Sequence, residues 1–219
     1  MTYSWRDAPV TTILIVIQVV VFLAMTFAGG STNTAVLLHF GANNAALVRA
    51  GQYWRLLTAG FVHIGTGHLV INSITLFFIG YYVERLFGHW RMLVIYLVSV
   101  LTGNLLSNAF LTNGLAAGSS TGIFGLFGAF LLLGMAFHDN MAIRSVARQF
   151  LLLVVFNLIT DVFMPGIDLA GHLGGLVGGF LMAAVVAAPR LGRIDLLKRL
   201  LSGIILLVAI FVFGGMGLR

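Results

Sequence analysis

LAGHLGGLVGGFLMAAVVAA, residues 169–188, is the stretch whose reading decides the fold. It supplies the roughly 20 mostly apolar residues that an α-helix needs to cross a bilayer. At 100° per residue, Gly175, Gly179 and Ala183 fall within about 60° of the His172 direction. That face has almost no side chains, so a neighbouring helix can approach closely. The run predicts a membrane helix packed tightly in a bundle, with a histidine near its head.

Working outward, six more windows meet the same length criterion, some narrowly: 10–29, 67–83, 91–111, 119–137, 149–164 and 201–217. The composition agrees. Apolar residues make up 60% of the 219-residue chain and charged residues only 8%, against about a quarter charged in soluble domains. The expected fold class is an all-α membrane protein, a polytopic bundle of seven transmembrane helices. Six of the windows fall in residues 1–188, expected as one core, and the seventh in 189–219, expected as a cytoplasmic linker with an additional C-terminal helix. The first run spans without a clear cleavage site after it, so it is expected to be retained. Cysteine is absent, which excludes disulfides, cysteine nucleophiles and cysteine-based zinc sites. No internal repeat supports a transporter built from two related halves.

The formal charge of +6 would suggest nucleic acid in a soluble protein. Here the basic residues sit at the ends of apolar runs, and topology explains them without a nucleic-acid partner. With the N-terminus inside, the inner segments carry Arg6, Arg85, Arg91, Arg144, Arg148, Arg190, Arg193, Lys198 and Arg199, and the outer ones only Arg49, Arg55 and Arg219. The positive-inside rule therefore selects N-in/C-out. The basic stretch from Arg190 to Arg199 anchors the inner side and is a candidate contact for membrane lipids. Segment 30–66 then lies outside. It is too apolar for open water and is expected in the interface, with Tyr53 and Trp54 at headgroup depth.

Ionisable and strongly polar residues inside a bilayer are costly and point to function. Four stand out: His68, Asn72, Ser120 and His172. Ser120 lies in Gly118-Ser119-Ser120-Thr121-Gly122 at the start of the fourth span, where a helix N-terminus offers unpaired N–H groups and the positive end of its dipole. The frame reads G-x-S-x-G, but the soluble hydrolase fold needs a strand before the turn, and a span precedes it here. The plainer reading is an N-cap serine. His172 heads the glycine face, and its plainer reading is an incidental histidine on a packing seam. In the N-in orientation both residues lie near the outer ends of their spans, at similar depth. A histidine within about 3 Å of a serine oxygen can take its proton. His68 and Asn72, at i and i+4, share one face at the same depth and suit an oxyanion, or else hydrogen bonds between helices.

Other chemistries compete. His63, His68 and His172 supply three histidines for a metal, but no H-E-x-x-H helix is present, and no metal or other cofactor is expected. Asp161 and Asp168 offer a carboxylate pair for aspartyl chemistry, yet they flank the loop at about 164–168, where solvent can reach them. His39, His89 and His138 read as interfacial or loop residues.

Several motifs together resemble the rhomboid intramembrane serine proteases, over about residues 51–179. Gly51-Gln52-Tyr53-Trp54-Arg55 and Phe61-Val62-His63 resemble the family's first loop. His68-Leu69-Val70-Ile71-Asn72 resembles its H-x-x-x-N. Glu84-Arg85-Leu86-Phe87-Gly88 with Arg91 resembles the segment after its second helix. Gly118-Ser119-Ser120 with Ile123-Phe124-Gly125 resembles its active-site motif, and His172, Gly175 and Gly179 its H-x-x-G-x-x-x-G. The resemblance implies a Ser120–His172 dyad without an acid. It implies an oxyanion site of His68, Asn72 and the Ser120 N–H, and Phe124 packed on the His172 ring. It also implies that Trp54 and Arg55 anchor the loop, that Glu84 fixes the inner end of the scaffold, and that the fifth helix with the Pro165-Gly166 loop gates and caps the site. The substrates implied are transmembrane protein segments, cut near the outer surface.

Two positions depart from the family pattern. Thr121 stands where a glycine is usual and is expected to narrow the pocket, and Gly171 replaces an alanine. The enzyme reading competes with a catalytically inactive relative that binds or chaperones client helices, and with a channel or transporter. The first predicts loss of the serine or histidine. The second predicts charges along a pathway or broken helices. The expected setting is a bacterial plasma membrane.

Overall fold

The computed structural model describes residues 7–111, 114–164 and 166–217, so expectations attached to Arg6, Pro165 and Arg219 lie outside the described residues. Seven long helices carry the fold: α1 (Pro9–Phe27), α5 (Gly65–Phe87), α6 (His89–Phe110), α7 (Ser120–Ala136), α8 (Met141–Phe163), α9 (Leu169–Val186) and α10 (Leu196–Gly217). Between α1 and α5 lie the short helices α2 (Thr34–His39), α3 (Ala45–Arg49) and α4 (Arg55–Thr58), and one 3-10 turn (Ala59–Phe61). The two-residue strands β1 (Asn43–Asn44) and β2 (Leu115–Ala116) pair antiparallel, Asn43 opposite Ala116.

Among the described residues six helices, all of the long ones except α7, are long and apolar enough to cross a membrane. α7 is equally apolar but has 17 residues. This is a multi-pass, integral membrane architecture. Each of the seven apolar windows falls on one of the long helices. The fifth and seventh helices begin earlier than hydropathy suggests, at Met141 and Leu196 rather than 149 and 201. Arg144, Arg148, Lys198 and Arg199 lower the local hydropathy, but a charged residue does not end a helix whose backbone groups still need partners. Asn140 starts α8 by accepting from the Ala142 and Ile143 N–H groups. Segment 30–66 is more ordered than a loop reading implies, because Asn33 and Asn44 cap two of its short helices.

α7 lies at the centre. All but one of its residues from Thr121 to Leu133 are buried, and it packs against α5, α6, α8 and α9. The glycine run on α9 explains the closeness of the bundle. Side chains at Gly175 and Gly179 would strike the backbone of Thr121 and Gly125 on α7, and side chains at Gly174 and Gly178 would strike Thr102 on α6. One bare face is legible in the sequence. The doubled glycines give two, one for each neighbour.

The far end of the bundle is tied by a buried carboxylate. Glu84, fully buried near the end of α5, accepts from the N–H groups of Val10 and Thr11 at 2.9 and 2.8 Å and from the Thr11 hydroxyl at 2.7 Å. Ala8 at the N-cap of α1 has no capping side chain, so Glu84 serves the orphan donors of α1 from another helix. His89, read from sequence as a loop or interfacial residue, is the first residue of α6, with Nδ1 2.7 Å from Glu84 Oε1. Nearby, Arg190 donates to the Arg85 carbonyl. Glu84 and His68 are sixteen residues apart on α5, about 24 Å along the axis, so this cluster lies far from His68 and the residues around it.

Candidate active site

The residues singled out by polarity converge on a cavity of about 530 Å³, with walls from α5, β2, α7, α8 and α9. Ser120 is the first residue of α7. Its approach is set by Gly118, whose φ of +135° is in the region that favours glycine. A Cβ on Gly118 would also lie 2.6 Å from the His68 ring. Glycine is therefore required there twice, by its backbone and by the imidazole stacked over it.

The two adjacent serines face different partners. Ser119 is fully buried. Its N–H donates to His63 Nε2 at 3.3 Å, and its Oγ lies 3.2 Å from the same nitrogen. Burial, and then the neighbouring His68, push the His63 imidazole down to about 3, from an ordinary value of 6.5. His63 is thus a neutral acceptor that holds the turn before α7. Ser120 faces the cavity, with Oγ 2.8 Å from His172 Nε2.

His172 stands in the first turn of α9, which Asp168 caps by accepting from the Gly171 N–H at 2.8 Å. The folded-back Asp168 carboxylate occupies the space that a Cβ at position 171 would need, and this accounts for Gly171. The His172 ring stacks on Phe124, with centroids 4.3 Å apart and planes 13° from parallel. Its Nδ1 lies 2.6 Å from Asp161 Oδ2. Asp161 is only 7% exposed in the last turn of α8. It is neither solvated nor paired with Asp168, contrary to the possibilities left open by the sequence. The pair expected to lack an acid has a carboxylate against it. From sequence alone Asp161 stands out only as a partner for aspartyl chemistry. A charge within a predicted span was the available signal.

His68 and Asn72 line the same cavity from α5. Asn72 Nδ2 donates to the His68 carbonyl at 3.0 Å, which orients the amide and leaves its second N–H. The Ser120 N–H is one of the first-turn donors that a helix leaves without an internal partner. Among the described residues no three metal-ligating side chains converge. His63 and His68 meet edge to face at 5.3 Å, while both nitrogens of His172 turn to Ser120 and Asp161. Thr121 touches the cavity but is 7% exposed. Its side chain packs into the space left by Gly103 on α6, so its bulk is directed more to helix packing than to narrowing the pocket.

Of the residues assigned to support, Phe124 lines the cavity, Trp54, Arg55, Gly175 and Gly179 stand outside it, and Glu84 lies at the remote end of the bundle. Arg55, almost buried, donates to the Leu38 and Ala42 carbonyls at 2.7 and 2.9 Å and to Gln52 Oε1 at 2.7 Å. Its guanidinium lies 4.5 Å from the centre of the half-exposed Trp54 ring. These bonds hold segment 38–55 together and, through the β1–β2 ladder, the chain leading to Ser120. Gly175 and Gly179 bring α9 against α7 so that the two side chains can meet.

A family model described as the rhomboid domain matches residues 50–189. The chain is 38% identical over 197 residues to Rhomboid protease GluP of Bacillus subtilis (strain 168), covering 90% of this chain and 38% of that protein. It is 36% identical over 159 residues to RHOMBOID-like protein 4 of Arabidopsis thaliana, covering 71% of this chain and 40% of the other. A second Bacillus relative, YdcA, is 30% identical over 185 residues, with 81% of this chain and 88% of YdcA covered. The chain therefore spans about two fifths of the first two relatives and most of the third. With the domain model covering well over half of its residues, the chain belongs to the rhomboid family.

Proposed function

We propose that the protein is an intramembrane serine endopeptidase that cleaves transmembrane segments of other membrane proteins near the outer surface. The observation that carries this reading is the 2.8 Å contact between Ser120 Oγ and His172 Nε2 in a cavity within a multi-pass bundle. In this reading His172 takes the hydroxyl proton as Ser120 Oγ attacks the scissile carbonyl. The proton passes to the leaving amine as the C–N bond breaks, and water then hydrolyses the acyl-enzyme by the reverse proton path. His68, Asn72 and the Ser120 N–H hold the oxyanion. The similarity to proteins named rhomboid proteases supports the same reading.

All seven long helices span the membrane in this reading, N-in/C-out, with the site toward the outer side. Two features favour that direction. Arg85, Arg91 and Arg190 gather at the end of the bundle remote from Ser120, and half-exposed Tyr53 and Trp54 lie at the opposite end, in the segment proposed as interfacial. Residues 1–188 form the six-helix core, and 189–219 the linker and extra helix. Transmembrane protein substrates and lipids are the partners, and the bacterial relatives favour a bacterial plasma membrane. An inactive, client-binding role is the competing reading.

Covalent labelling with a fluorophosphonate probe separates the two readings. The wild-type chain is expected to label, and Ser120→Ala and His172→Ala are not. Equal labelling of wild type and Ser120→Ala would remove the serine from the proposal.

A further inference from the structure

The carboxylate of Asp161 is the feature that a two-residue mechanism leaves without a use. It is buried, and a buried charge is costly unless it is paired. Its Oδ2 is 2.6 Å from His172 Nδ1, while Nε2 of the same ring is 2.8 Å from Ser120 Oγ. Phe124, stacked on one ring face at 4.3 Å, fixes the plane in which both bonds lie. Ser120, His172 and Asp161 thus form one continuous hydrogen-bonded line across three helices, α7, α9 and α8.

We propose that Asp161 is a positioning residue for His172, so that this protein works with a Ser–His–Asp line rather than a pair. The inference rests on the serine–histidine reading above. A carboxylate accepts only, so it keeps the imidazole proton on Nδ1 and leaves Nε2 bare to accept from the Ser120 hydroxyl. As the Ser120 O–H bond breaks and Oγ bonds to the substrate carbonyl carbon, the proton moves to Nε2. The imidazolium then faces a carboxylate that stays ionised throughout. The proton leaves Nε2 for the departing nitrogen, and the line returns to its starting state.

The helix that carries Asp161 gives the arrangement a second consequence. α7 and α9 are locked by the glycine faces, so Ser120 and His172 keep their relative positions. α8 is held differently. Phe150, in its first half, packs on Phe127 and Phe130 of α7. Beyond it Phe156, Ile159, Val162 and Phe163 are 53–79% exposed. Val154 and Leu158 still pack on the core in this half, and the Asp161–His172 bond is the polar tie between the end of α8 and the site. The same bond therefore couples the state of the base to the position of α8, and moving the end of α8 outward removes the acceptor from Nδ1.

The test compares the full chain, reconstituted with a reporter transmembrane substrate, as wild type, Asp161→Asn, Asp161→Glu and Ser120→Ala. Asparagine keeps the shape and loses the charge, and glutamate does the reverse. A positioning role predicts that Asp161→Asn lowers kcat by about 10²- to 10⁴-fold with KM within about threefold of wild type. It also predicts that Asp161→Glu, although larger, retains more kcat than Asp161→Asn. A packing role predicts the opposite order, and a purely gating role moves KM. Either result overturns the proposal, as does a wild-type kcat in Asp161→Asn while Ser120→Ala is inactive. Full activity in Ser120→Ala would instead bring down the serine–histidine reading beneath it.

Discussion

Ser119 and Ser120 are neighbours of identical chemistry, and what separates them is the partner each can reach. His63 draws Ser119 into the protein, and the first turn of α7 points Ser120 at the cavity. His63 has a price in pH dependence that can be measured. Its folded-state value is pushed below its ordinary 6.5 to about 3, so the unfolded chain binds a proton that the folded chain refuses. Its contribution is fully present above pH 6.5 and is lost as pH falls from there toward 3. His63→Gln is expected to flatten this part of the stability curve, read as the pH dependence of the unfolding midpoint in detergent. An unchanged slope would contradict the neutral, buried state of His63. At the proposed oxyanion site, Asn72→Ala is expected to lower kcat by about 10²-fold or less, because the His68 side chain and the Ser120 N–H remain as donors. Steady-state kinetics with KM resolved from kcat will check it. Of these residues, Ser120, His172, His68 and Asn72 could be picked out by polarity within apolar runs. Asp161 carried the same signal and was hidden by its nearness to a predicted loop. That α8 keeps its helix to Phe163 and turns Asp161 inward is a tertiary fact.

At the scale of elements, the glycines of α9 do the positioning. Hydropathy and spacing made α9 legible as a span with a bare face. That it serves α6 with one set of glycines and α7 with the other was not legible, since that depends on where α6 lies. Gly179→Ala places a methyl group against the Gly125 backbone. It is expected to cost about 1–3 kcal/mol, as overpacking does, and to separate Ser120 from His172. The checks are a lower unfolding midpoint together with slower fluorophosphonate labelling. The starts of α8 and α10 were misread by several residues because a hydropathy window stops at arginine and lysine, whereas a helix stops where its hydrogen bonds can no longer be met. The short helices of segment 30–66 are invisible to periodicity, since four to six residues are too few to show a period.

Across the whole molecule, two polar clusters hold opposite ends of an apolar bundle. One is the cavity line of Ser120, His172 and Asp161. The other is Glu84, which joins α5 to the head of α1 and the start of α6. The resemblance assigned Glu84 to the inner end of the scaffold, but no local pattern connects residue 84 to residue 10. Glu84→Ala is expected to destabilise the protein by a few kcal/mol, because it strands buried donors at Val10 and Thr11. At temperatures where the variant stays folded, labelling of Ser120 is expected to proceed at close to the wild-type rate, since the cluster is far from the cavity. A large loss of labelling in folded Glu84→Ala protein would mean that the two ends are coupled.

Ser120 is proposed as the nucleophile of a membrane-embedded protease. The most direct test of that role is cleavage of a reporter transmembrane substrate by reconstituted Ser120→Ala protein beside the wild type, with unfolding midpoints measured on the same preparations. Product is expected from the wild type, none from Ser120→Ala, and matching midpoints from both. Cleavage by Ser120→Ala at the wild-type rate would contradict that role.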